Sequence, residues 1–171
     1  ARETGCYLSI GVSERDRWNG TLYNSNLIFS PEGKLVSAHR KLKPTGSERL
    51  VWGDADRGYF PVVDTPFGVM GSLICWESYM PLARVALYEK GVSIYISPNT
   101  NDNEEWQSTI RHIAIEGKCF FINSDMYFTR DMYPRDMQRP EDINWLPEKV
   151  CRGGSCIIDP YGHYETEPLW D

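Results

Sequence analysis

Two places in the sequence carry residues that could do chemistry. Cys75 closes an apolar run, Val69-Met70-Gly71-Ser72-Leu73-Ile74, and stands directly before Trp76-Glu77 and the helix-opening Pro81. If the run is a parallel strand, the thiol lies at its carboxyl end, where open α/β sheets hold ligands. A strand-to-helix turn also aims backbone N–H groups at the sulfur, which favours the nucleophilic thiolate. Earlier in the chain, His39-Arg40-Lys41-Leu42-Lys43-Pro44-Thr45-Gly46-Ser47-Glu48-Arg49 takes a cationic run into a loop. A lysine beside a thiolate stabilises it and can donate to a nitrogen or oxygen that gains negative charge, while a carboxylate such as Glu48 can hold that lysine or move protons. Both places have a plainer reading. A cysteine is commonly a small buried hydrophobe, and a charged loop is commonly a solvated face. Spacing alone does not choose between them.

The elements that must position these groups follow from periodicity. Residues 6–12 read as a buried strand, and residues 21–30 as a strand with Tyr23, Leu27 and Phe29 on one face. The turn Pro31-Glu32-Gly33 then leads into a second hairpin strand. Residues 41–58 read as a loop, and the Pro66-Phe67-Gly68 turn joins two further strands. From residue 69 the grammar is strand, helix, strand, helix, strand. The first helix is opened by Pro81, stopped by Gly91 and expected to pack through Leu82, Val85 and Ala86; the second runs from about Asn103 to Lys118 with Trp106, Ile110, Ile113 and Ala114 inward. This is an α/β pattern with a parallel sheet. Residues 125–149, polar and proline-rich, are too long for a plain connection and read as a functional or interface loop. A last strand and turn cover residues 154–162.

Composition narrows the function classes. The 171 residues are 41% hydrophobic and 25% charged, with 18 Lys plus Arg against 24 Asp plus Glu, a net charge of −6. That profile fits a water-soluble globular chain and argues against nucleic acid or an anionic membrane as partner. No apolar run approaches the ~20 residues of a membrane span, and no apolar signal core opens the chain, so a cytoplasmic location is expected. The five cysteines are an odd number on a chain that does not need disulfide staples. Cys151 and Cys156 lack a companion Cys or His pair, so no metal site is read there. Both chain ends look cut rather than finished.

With these residues in view, the sequence resembles the nitrilase branch of the nitrilase superfamily. The resemblance rests on Arg40-Lys41-Leu42, Pro44-Thr45, Glu48-Arg49 and Trp52-Gly53, then on Ile74-Cys75-Trp76-Glu77 with Met80-Pro81-Leu82 and Arg84. It continues through Ala86-Leu87-Tyr88, Lys90-Gly91, Ile94-Tyr95, His112-Ile113-Ala114, Glu116-Gly117, Cys119-Phe120 and Gly153-Gly154-Ser155. It implies a partial α-β-β-α sandwich, one incomplete domain over residues 1–171, and a Glu-Lys-Cys triad. Cys75 matches the nucleophile, Lys41 the catalytic lysine, and Glu48 the second, structural or proton-handling glutamate. The family's general-base glutamate lies well upstream of the lysine, and Glu3, Glu14 and Glu32 lack its context. Residues 53–58 are poorer in glycine than the family's corresponding loop.

The chemistry implied is hydrolysis of a small-molecule nitrile to carboxylic acid and ammonia through a thioimidate and a thioester on Cys75, with no cofactor. Trp52, Trp76 and Tyr79 are the expected substrate-binding aromatics, although aromatic residues beside a sheet are often core. Glu77 and Glu116 are expected as framework carboxylates, His112 as a structural histidine on an apolar helix face, and the full-length protein as a homo-oligomer. The rivals are a superfamily amidase or carbamoylase, a cyanide hydratase that releases the amide, a papain-like pairing of Cys75 with His112 or His163, and a truncated, inactive scaffold.

Overall fold

Alternation and turn chemistry build the first sheet. The computed structural model describes residues 1–55, 59–136 and 139–171; the glycine-poor stretch therefore lies partly outside the described residues. Strands β1 (Leu8–Arg15), β2 (Leu22–Phe29) and β3 (Leu35–Arg40) pair antiparallel in the order β1-β2-β3. Gly33 takes φ 77° at the β2–β3 turn, a conformation glycine adopts without steric cost. Strand β1 is not the buried strand its apolar residues suggest: Leu8 and Ile10 are exposed, because they pair with Phe29 and Leu27 on the face of the small sheet opposite Ile28, which packs on the large sheet. In β2, Tyr23 is inward as expected, but Leu27 and Phe29 are half-buried, and Ile28 carries the packing.

Among the described residues, the second sheet has seven strands. They are β4 (Val62–Thr65), β5 (Gly68–Ser72), β6 (Val92–Asn99), β7 (Phe120–Asp125), β8 (Tyr127–Thr129), β9 (Lys149–Ile158) and β10 (Tyr164–Trp170). The path runs β10-β9-β7-β6-β5-β4, with β8 alongside β9. Strands β5, β6 and β7 are mutually parallel, as the sequence pattern predicts, and the remaining pairings are antiparallel. Strand β10 is an addition, since Glu165, Glu167 and Pro168 mask it in the sequence.

Among the described residues, two α-helices cover one face of this sheet. Helix α2 (Glu104–Gly117) starts where the Asn103 side chain accepts the Trp106 N–H, and Trp106, Ile110, Ile113 and Ala114 are fully buried, as their spacing predicts. Helix α1 (Pro81–Tyr88) begins at Pro81 and is followed by Gly91 at φ 74°, both as expected. Its inward face differs from the expected one. Ala83 and Leu87 are buried, whereas Leu82 is 84% exposed and Val85 is exposed. Over two turns, two stripes compete, and the polar Arg84 and Tyr88 lie with the inner one, anchored on Glu116.

The main core, with Leu73, Leu87, Tyr95, Trp106, Phe121 and Ile158, lies between the helices and the large sheet. A smaller cluster of Ile28, Val63, Met70 and Ile96 joins the two sheets. The layers are helix, sheet and sheet, an α/β arrangement. Residues 125–149 hold β8 and the short helical turns Arg130–Met132 and Pro140–Ile143. No helix among the described residues is long and apolar enough to cross a membrane.

Candidate active site

The carboxyl ends of β5, β6 and β7 open into a cleft of about 750 Å³ facing β1 and β2. Ser72 ends β5, and the chain turns at Cys75, whose φ of 54° is left-handed. A non-glycine residue pays for that backbone and is found there when its surroundings over-determine it. The determinant is Glu77, which is 1% exposed and accepts from the N–H groups of Ile74 (2.8 Å) and Leu42 (2.8 Å). His39 Nε2 lies 2.8 Å from the same carboxylate. A carboxylate only accepts, so His39 donates from Nε2. One buried acid thus fastens the Cys75 turn to the end of β3, and the framework role expected for Glu77 is met, with a histidine in addition to backbone.

Lys41 follows β3 directly and is 1% exposed. Its Nζ donates to Glu48 Oε2 at 2.7 Å and to Thr45 Oγ1 at 3.1 Å. Glu48 sits on the helical turn Gly46–Leu50, inside what the sequence reads as plain loop, and its Oε2 also accepts the Thr45 N–H at 2.6 Å. At Lys41 and Glu48 the charged segment is therefore not a solvated face, although Lys43 and Arg49 are exposed. Lys41 and Glu48 form a buried-to-surface pair, and both act electrostatically on Cys75: the ammonium lowers its pKa and the carboxylate raises it.

Asn101 Nδ2 donates to the sulfur at 3.5 Å, and the backbone N–H groups of Trp76 and Thr100 lower the thiol's pKa. Burial outweighs these donors and pushes the thiol above its ordinary value. Burial thus works against the expected thiolate, while the Lys41 ammonium works for it.

Of the aromatic residues expected at the substrate, Trp52 and Trp76 line the cleft with Cys75 and Glu48. Trp76 Nε1 donates to Asn101 Oδ1 at 2.9 Å, and Trp52 Nε1 to Ser13 Oγ at 2.7 Å. Tyr79 is not in the cleft wall; its ring packs edge-on against Trp76 and Trp106. His112 is exposed rather than set in an apolar face, beside Glu116, and His163 lies in an exposed turn beside Asp159. Neither faces the cleft that holds Cys75. Glu116 holds Arg84 at 2.8 Å, as a framework carboxylate would. Glu14 is bound to Arg40 and Ser25, and Glu32 to Ser30. Among the described residues, no cluster of three or more metal-ligating side chains is present.

The sequence reading passes over Asn99, Asn101 and Asp125, which complete the cleft wall. A signal for them exists: Asn99-Thr100-Asn101 ends one parallel strand and Asp125 the next, at the edge where α/β sheets bind ligands.

This sheet order, with parallel strands at its centre and a cysteine just beyond the end of one of them, is that of an α/β protein. Residues 1–170 match the carbon-nitrogen hydrolase family, and the chain belongs to that family. It is 48% identical to an aliphatic nitrilase of Sinorhizobium fredii (strain HH103), over 98% of this chain and 53% of that protein. It is 42% identical to nitrilase 1 of Arabidopsis thaliana over the whole chain and 50% of that protein. A bifunctional nitrilase/nitrile hydratase of Lupinus angustifolius is also 42% identical, over 96% of this chain and 48% of that protein. The chain thus spans about half the length of the curated relatives it matches. The fold agrees with a solved amidase from Nesterenkonia sp. at a TM-score of 0.78 and 15% identity, covering 99% of this chain and 59% of that one. It also agrees with a carbon-nitrogen hydrolase from Helicobacter pylori G27 at 0.77 and 21%, covering 95% and 57%.

Proposed function

We propose that this chain carries the reaction centre of a nitrilase, with Cys75 as nucleophile, Lys41 as the cationic proton donor and Glu48 as the group that holds and recharges Lys41. The observation that carries this reading is the convergence of Cys75, Lys41 and Glu48, far apart in sequence, on one cleft edge. The similarity to proteins named nitrilases, 48% and 42% identical, supports it.

Because burial favours the neutral thiol, attack is coupled to proton transfer rather than made by a resting thiolate. The Cys75 sulfur adds to the nitrile carbon, one C–N π pair moves to nitrogen, and Lys41 protonates that nitrogen; Glu48 carries the thiol proton back to Lys41, leaving a thioimidate. Backbone N–H groups at Trp76 and Thr100 steady the charge around the sulfur. Water adds to the thioimidate carbon and ammonia leaves, giving a thioester that a second water hydrolyses to the acid and the free thiol. Per turnover, one nitrile and two waters become one acid and one ammonia, and no cofactor enters. Trp52 and Trp76 flank the substrate.

Release of the amide after the first water is the second outcome, favoured by the relative named as both nitrilase and nitrile hydratase. A cytoplasmic setting suits five unpaired thiols, and association with a second copy, through residues 125–149 among other surfaces, is part of the same reading. Light scattering would report that association as a mass above one chain. The deciding assay is a panel of nitriles and their matched amides, with ammonia and acid both measured. Ammonia from nitriles, lost in Cys75→Ala, is expected; turnover of amides alone would replace the reading by an amidase.

A further inference from the structure

Asn101, in the loop that leaves β6, sets its side chain between the proposed nucleophile and an aromatic wall of the cleft. Its Oδ1 accepts the Trp76 indole N–H at 2.9 Å, and its Nδ2 donates to Cys75 Sγ at 3.5 Å. The two ends of the carboxamide are not interchangeable. An indole N–H only donates, so the carboxamide oxygen faces Trp76 and the NH2 is left facing the sulfur. The backbone is held as well: the Asn101 N–H donates at 2.8 Å to Oδ1 of Asp125, at the end of β7. The residue is 8% exposed, so water does not compete freely for either end of the amide.

A donor without charge of its own has a particular use beside a buried sulfur. Burial opposes ionisation of Cys75, and a Lys41 that gives its proton to the substrate nitrogen no longer offers the sulfur a full positive charge. An amide N–H keeps its proton throughout, and its bond to sulfur strengthens as negative charge gathers there. We propose that Asn101 is a catalytic residue of this centre, donating from Nδ2 to the Cys75 sulfur whenever that sulfur carries charge: as the thiol proton leaves, and again as the thioester releases the sulfur. This rests on the nitrilase reading for the reaction, and adds to Lys41 and Glu48 a third side chain acting on the nucleophile. The same amide ties Trp76 to the sulfur, so one residue sets both the nucleophile and the aromatic wall.

The test follows the rate of Cys75 alkylation by iodoacetamide against pH, read by peptide mass on the whole chain, in the parent, Asn101→Leu and Asn101→Asp. Leu removes the donor at similar size. Asp keeps an oxygen for the Trp76 indole but turns its other oxygen, a charged acceptor, toward the sulfur. The remaining charged groups about the sulfur, Lys41 and Glu48, and Asp125 behind Asn101, are common to all three chains. The alkylation midpoint is expected to rise by about one pH unit in Asn101→Leu, and further in Asn101→Asp. A residue that only holds Trp76 in place gives the other order, with Asn101→Asp close to the parent and Asn101→Leu displaced. That order, or midpoints unmoved in both variants, overturns the role. Asn101→Asp is nearly isosteric and keeps the indole bond, so a cooperative melt is expected of it even where Asn101→Leu fails to fold. Incubation of the parent with a nitrile keeps the two readings apart. A nitrile adduct on Cys75 together with unmoved midpoints removes Asn101 from the centre and leaves the nitrilase reading standing; no adduct, with midpoints displaced as expected, removes the nitrile and leaves the donor.

Discussion

At the residue scale, the unusual groups gather in the cleft. Asp125 is pushed up to about 6 by burial, which its bond from the Asn101 N–H only partly offsets. A carboxyl whose folded pKa exceeds its unfolded value binds its proton more tightly in the folded protein. The folded state therefore loses stability as pH rises from about 4 to about 6. Asp125→Asn should remove that loss and stabilise the chain by about 3 kcal/mol at pH 7 to 8, visible in urea titrations at two pH values; an unstable Asn variant at pH 8 would show that the carboxylate is well solvated. Sequence reading finds Cys75, Lys41 and Glu48 because their types are chemically loud. It misses Asn99, Asn101 and Asp125 because amides and carboxylates at strand ends are common, and only pairing shows which of their oxygens lack donors. The raising effect of burial on the Cys75 thiol is also invisible in the sequence, since desolvation is a property of packing and not of neighbours in the chain.

At the element scale, the turn after β5 fixes Cys75, the proposed nucleophile, in a strained backbone conformation. Left-handed φ costs a residue with a Cβ about 1 kcal/mol or more, and Cys75 stands at φ 54°. Cys75→Gly should therefore be about 1 kcal/mol more stable than Cys75→Ala, both lacking the sulfur; equal melting of the two would place the turn in an ordinary conformation. Helix α1 shows a different limit of legibility. Its boundaries follow from Pro81 and Gly91, but its inward stripe does not, because two turns give Leu82 and Leu87 equal claim by spacing. Leu82→Lys is expected to change stability by less than about 0.5 kcal/mol, and Leu87→Ala to cost about 2 to 5 kcal/mol, since Leu87 is fully buried and Leu82 is 84% exposed. The opposite ranking in thermal melts would restore the stripe read from the sequence. Helix α2 is long enough that one stripe dominates, and there spacing and structure agree.

At the scale of the whole molecule, the two sheets meet over a modest apolar cluster, and polar ties carry the alignment between them. Asn26 Nδ2 of β2 donates to Ser72 Oγ of β5 at 2.8 Å, and Glu77 joins His39 and Leu42, at the end of β3, to the Cys75 turn. The site is assembled across this junction, since Lys41 enters from the small sheet and Cys75 from the large one. Glu77→Gln should leave buried donors poorly matched and lower stability by about 2 to 4 kcal/mol, with Lys41 and Cys75 losing their fixed relation; a melt within a degree of the parent would move the alignment to the apolar cluster. That the two sheets stack is implied by the family resemblance rather than by periodicity, because local patterns fix elements and say little about which sheets face each other. The central claim is that Cys75, served by Lys41, takes the nitrile carbon. Its most direct test is the mass of the whole chain after incubation with a nitrile, followed by peptide mapping. The account predicts one adduct, the nitrile's mass or that of its acyl group, on Cys75 alone, formed at least about 100-fold more slowly in Lys41→Met. Adducts spread over Cys6 and the other thiols, or an undiminished rate in Lys41→Met, would contradict it.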